Sequence, residues 1–108
     1  MKNVIDRYVY RVHWSDECEG FVGTVAEMPE LRFVSGSFVE ALTGIRISAH
    51  DEAAKLVERG VAVPVPFEDR HYSGHFMVRV PPEVHRRLSI EAAEQGVSLN
   101  RLVQARLS

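Results

Sequence analysis

Tyr8, Tyr10, Val12 and Trp14 alternate with Val9, Arg11 and His13. This period of two, in aromatic and β-branched residues, predicts a strand. Ser15-Asp16-Glu17-Cys18-Glu19-Gly20 is polar and ends on glycine, so it reads as a turn into a second strand, Phe21 to Met28. Pro29-Glu30 interrupts the run, and Leu31-Arg32-Phe33-Val34 predicts a third strand before Gly36. At Ser37 the period changes. Ser37-Phe38-Val39-Glu40 has the spacing of a capping box, in which the serine serves the third amide and the glutamate reaches back. Phe38, Leu42, Ile45, Ala49, Ala53 and Leu56 then recur at helical spacing, and Gly60 sits where a left-handed terminus is wanted. Val61-Ala62-Val63-Pro64-Val65-Pro66 reads as a last short strand, confined to a sheet edge or an extended exit by its prolines. The expected front half is a small antiparallel sheet with one helix packed on a face.

A second pattern begins after the polar stretch Glu68 to Tyr72 and the turn signal Ser73-Gly74. Phe76, Val78 and Val80 alternate with His75, Met77 and Arg79, which predicts another strand. Pro81-Pro82 ends it and opens a helix whose stripe is Val84, Leu88 and Ala92, closed by Gly96. Ser98 is placed as the N-cap of a final helix with Leu99, Leu102, Val103 and Leu107 on one face. One strand and two helices cannot bury three strand side chains or pair their own edges, and such a piece is near the lower limit for folding alone. Two copies pairing their strands antiparallel would bury Phe76, Val78 and Val80. His75, Met77 and Arg79 would then face outward on a two-stranded ribbon of the width that enters a DNA major groove. The expected division is residues 1–66, a linker at 67–72, and residues 73–108.

With 108 residues, 45% hydrophobic and 26% charged, the chain reads as globular. The start, Met1-Lys2-Asn3-Val4-Ile5-Asp6-Arg7, lacks the apolar core of a secretory signal, and no membrane-length apolar run follows, so a cytoplasmic location is expected. A single cysteine excludes an internal disulfide framework. The net charge of −2 conceals an asymmetry. Residues 1–68 carry 7 basic and 11 acidic side chains, a net −4, whereas residues 69–108 carry 6 and 4, a net +2, with every basic residue an arginine. The front half therefore suits a basic partner.

Phe76-Met77-Val78-Arg79-Val80-Pro81 followed by Gly96-Val97-Ser98-Leu99-Asn100-Arg101 resembles the ribbon-helix-helix family of Arc- and MetJ-type repressors. Tyr10-Arg11-Val12 through Trp14-Ser15, Phe21-Val22-Gly23-Thr24-Val25-Ala26-Glu27-Met28-Pro29-Glu30-Leu31 and Glu40-Ala41-Leu42 resemble the N-terminal module of HicB-type antitoxins. The resemblance implies an α+β chain: a partial ribonuclease H-like module that holds a HicA-type RNA-cleaving toxin, then a ribbon-helix-helix dimerisation domain. It implies repression of the chain's own operon through operator DNA, with association beyond the dimer open. On this reading His75, Met77 and Arg79 contact bases. Ser98, Leu99 and Asn100 contact phosphate, because a helix N-terminus offers free amides and a favourable dipole. Phe76, Val78 and Val80 form the dimer core. No catalytic activity, metal, cofactor or membrane partner is expected.

Other chemistry is weaker. Asp16, Glu17 and Glu19 would suit a two-metal nuclease only if they converged from separate strands, and one hairpin loop reads as a solvated turn. His71 and His75 are too few for a metal site. Cys18 has no cationic neighbour in sequence to activate it. Tyr8, Tyr10 and Trp14 read as core, not as a base-stacking platform. The alternative function is an orphan regulator whose front module binds another protein or a small ligand.

Overall fold

Three strands form where the period-two pattern places them: β1 (Tyr10–Ser15), β2 (Gly20–Val25) and β3 (Arg32–Ser35). The sheet is antiparallel in the order β1-β2-β3, with Tyr10 opposite Val25 and Phe21 opposite Ser35. The structure, a computed structural model, describes residues 3–108; Met1-Lys2, part of the stretch read for a secretory signal, lies outside them. Two units divide the chain, Met1–Tyr72 and Ser73–Ser108.

Both ends of the first hairpin are shorter than the sequence pattern. Val4–Arg7 forms a 3-10 helix, capped by the Asn3 side chain accepting from the Ile5 amide at 3.3 Å, so β1 starts only at Tyr10. β2 stops at Val25 instead of Met28 because the chain turns there: the Met28 amide donates to the Val25 carbonyl at 3.2 Å.

α1 (Phe38–Glu58) starts at the expected cap, with Ser37 Oγ accepting from the Glu40 amide at 3.3 Å. Only half of the capping box closes. The Glu40 carboxylate accepts from the Ser35 hydroxyl at 2.9 Å, and the Ser37 amide donates to Ser35 Oγ at 3.1 Å. Two glycines set how closely α1 lies on the sheet. A Cβ on Gly23 would stand 2.6 Å from the Ala41 carbonyl oxygen, and one on Gly44 would stand 2.3 Å from the Phe33 ring. Ile5, Tyr8, Val25, Met28, Ile45 and Ala49 form the buried core beneath the helix.

The expected strand at Val61–Pro66 does not form. Side chains hold this segment in place of a ladder. Tyr8 Oη donates to the Pro64 carbonyl at 2.6 Å, Pro66 is fully buried, and Phe67–Asp69 makes a 3-10 turn. Residues 67–72, read from sequence as a linker, belong to the first unit. Arg7 pairs with Asp69 at 2.8 Å, Arg70 lies 3.9 Å over the Phe67 ring, and Tyr72 Oη donates to the Phe67 carbonyl at 2.8 Å.

In the second unit α2 (Pro82–Gln95) has proline in its first turn and ends on Gly96, at φ 69°. The Val97 amide returns to the Ala92 carbonyl at 3.0 Å, which closes the helix end. α3 (Leu99–Leu107) begins at Ser98, whose Oγ accepts from the Arg101 amide at 3.1 Å. Arg106 and Glu91 join the two helices as an ion pair. The expected strand at His75–Val80 forms no ladder within the single chain.

Candidate functional site

The segment before α2 carries the residues expected to pair and to read bases. Phe76, Val78 and Val80 are 76%, 63% and 43% exposed, so within the second unit the side chains expected to form a dimer core stand uncovered. His75, Met77 and Arg79 alternate with them and are exposed as well. Ser73 anchors the start of the segment, its Oγ accepting from the His75 amide at 3.0 Å. Behind it, only Ala92 and Leu102 are buried in the whole unit. A unit with so small an interior and so large an apolar margin is short of the burial that stabilises a domain by itself.

At the start of α3 the cap takes the Arg101 amide, and the Leu102 amide reaches the Ser98 carbonyl at 3.0 Å. The first-turn amides of Leu99 and Asn100 have no place in the helix's own bonding. A shallow cleft runs along α3 from Ser98 to Ser108, lined also by Asn100, Arg101, Gln104 and Ala105. An anion placed at the start of α3, not along the cleft, would meet free N–H groups and the positive end of the helix.

A family model, that of the HicB family, matches residues 62–107. No curated protein and no solved structure matches the chain. The HicB match covers the exposed segment, α2 and α3, and begins on the tail that Tyr8 holds. Most of the first unit lies outside it, including the hairpin that carries the antitoxin-like residues.

Within the first unit the structure adds a residue that the pattern did not mark. Glu27, 5% exposed, accepts from the Val9 amide through Oε1 at 2.9 Å and from the Phe67 amide through Oε2 at 3.0 Å. One carboxylate thereby joins the approach to β1 to the tail of the unit. Burial raises the Tyr8 phenol above its ordinary 10.0, the Glu27 charge raises it further, and Arg70 opposes both. The Tyr10 phenol, which donates to the Ile5 carbonyl at 2.6 Å, is also raised, mainly by burial.

Two sequence readings change. Trp14 is not core: it is 53% exposed, while Tyr8 is buried and Tyr10 partly so. Cys18 does have a cationic neighbour, Arg32, whose Nη2 lies 3.3 Å from Sγ across the sheet. Asp16, Glu17 and Glu19 stay together in the exposed β1–β2 loop. Among the described residues no group of three or more histidine, cysteine, aspartate or glutamate side chains is placed to hold a metal ion. No helix among them is long and apolar enough to cross a membrane.

Proposed function

We propose that the chain is the antitoxin of a HicA/HicB-type pair, without catalytic activity of its own. Its second unit dimerises through His75–Val80 in ribbon-helix-helix fashion and represses its operon. Its first unit holds an RNA-cleaving toxin. The observation that carries this reading is the HicB match across a segment whose apolar side chains stand uncovered. Antiparallel pairing of two copies would bury Phe76, Val78 and Val80, pair one edge of each strand, and leave His75, Met77 and Arg79 toward the bases. Ser98, Leu99 and Asn100 would then meet a phosphate on each half-site.

Phe76→Asp is expected to abolish the dimer and operator binding together, since a charge buried without a partner costs several kcal/mol. Light scattering and a DNA titration check this. A variant that remains a DNA-competent dimer would refute the ribbon assignment. A second reading, a regulator whose front unit takes a different partner, is favoured by the family match leaving most of that unit uncovered. Calorimetry with the toxin distinguishes the two.

A further inference from the structure

Trp14 lies on the sheet face that α1 covers, yet it stands half in solvent. Its ring meets Phe21 edge-on at 5.2 Å, and Phe21 meets Phe38 edge-on at 5.7 Å. Phe38 is 51% exposed and Val39, beside it on α1, 68%. The indole is not loose: Nε1 donates to Asp16 Oδ1 at 2.7 Å, which satisfies its polar edge and fixes its plane. The result is an oriented aromatic surface at the end of the sheet, bordered by the exposed carboxylates Asp16, Glu17 and Glu19. Arg32 approaches that loop from the other sheet face, at Cys18.

We infer that this surface docks an arginine-rich protein face, on the reading that the first unit is the partner-binding part of the chain. The carboxylates and the net −4 of residues 1–68 repel a nucleic-acid backbone. A second copy of the same unit brings the same negative charge. Guanidinium suits both halves of the surface: its plane stacks on the indole, and its fork meets a carboxylate at two points. Trp14 is the apolar anchor, and Glu17 and Glu19 supply the charge.

Trp14 is the chain's single tryptophan, so its emission reports directly on this surface. The full chain is titrated with catalytically inactivated HicA-type toxin by calorimetry, and with a short arginine-rich peptide by tryptophan emission. Trp14→Ser is expected to weaken the toxin by about thirtyfold, as loss of a central aromatic anchor does. Glu17→Lys is expected to weaken it by about tenfold. Glu19→Gly supplies the control for folding. Glu19 has φ 51°, a left-handed conformation that glycine adopts freely, so this variant gains stability while losing affinity. Unchanged toxin affinity in all three variants overturns the surface and leaves the antitoxin reading in place. If the toxin does not bind but the peptide quenches Trp14 in a Glu17-dependent way, the surface stands and the toxin reading falls. Quenching by single-stranded RNA and not by the peptide overturns the inference, as does a lack of response to every probe.

Discussion

Tyr8 shows how one side chain can tie stability to pH. Its phenol is buried and bonded to the Pro64 carbonyl, and its pKa lies above 10.0 in the folded chain. Below about pH 10 both folded and unfolded chains keep this proton, and its contribution to stability is whole. As pH rises further the unfolded chain releases the proton first, and the contribution is lost as pH passes the folded value. Urea midpoints from about pH 8 to about pH 11.5 should fall steeply in the wild type. Tyr8→Phe should start about 1 kcal/mol lower, having lost the hydrogen bond, and fall less steeply, with Tyr10 leaving a residual slope. An equal slope in both would remove Tyr8 from the account. The burial of Tyr8 is legible in the alternation of residues 8–14, although β1 itself starts only at Tyr10. The role of Glu27 was not, because a carboxylate between alanine and methionine gives no periodic signal, and its partners are 18 and 40 residues away.

Among elements, α1 and the two later helices were read nearly to the residue, since caps, prolines and glycines mark their ends locally. Strands were read less well. The pattern carries β2 three residues too far because Ala26 and Met28 prolong the apolar positions, although Met28 is buried by a turn and not by a strand. Val61–Pro66 has strand-forming residues but no ladder, which shows that β-propensity describes a fit to a pleated neighbour and supplies none. The helix-on-sheet contact yields a paired prediction. Gly23→Ala meets the Ala41 carbonyl, a backbone atom that moves only with the helix, so a loss of roughly 1–3 kcal/mol is expected. Gly44→Ala meets the Phe33 ring, which is 39% exposed and free to swing outward. Alanine also gains up to about 1 kcal/mol of helix propensity there, so the net loss should be smaller. Thermal or urea unfolding of both variants checks the order; a larger loss at Gly44 would mean that Phe33 is held more firmly than its exposure implies.

At the scale of the molecule, the boundary between the units is set by side chains more than by composition. The polar stretch after Phe67 reads as a linker, but Glu27, Arg7 and the Val65 carbonyl hold it to the first unit. The segment Phe76–Val80 is legible because its alternation is strict, and its apolar positions stand exposed in the second unit. A truncation tests where the first unit ends. Residues 1–72 should unfold at higher urea than residues 1–66, since removal of Phe67 and Asp69 strips the buried Glu27 Oε2 and the Arg7 guanidinium of their partners. About 1–3 kcal/mol is expected for the Glu27 bond alone, and Glu27→Gln in 1–72 should reproduce much of that loss. Equal midpoints for the two fragments would return 67–72 to the linker.

The shared carboxylate has a consequence for transplantation. Val9 and Phe67 donate to the two oxygens of one Glu27 side chain, so the strands of chain that lead into and out of the sheet-and-helix body run side by side. A body whose two ends meet can be spliced into a surface loop of a host protein without prying that loop open. It can equally be permuted, its old ends joined by a short glycine bridge and new ones cut in the exposed β1–β2 loop. The first unit is in this sense a cassette, and Glu27 is its clasp.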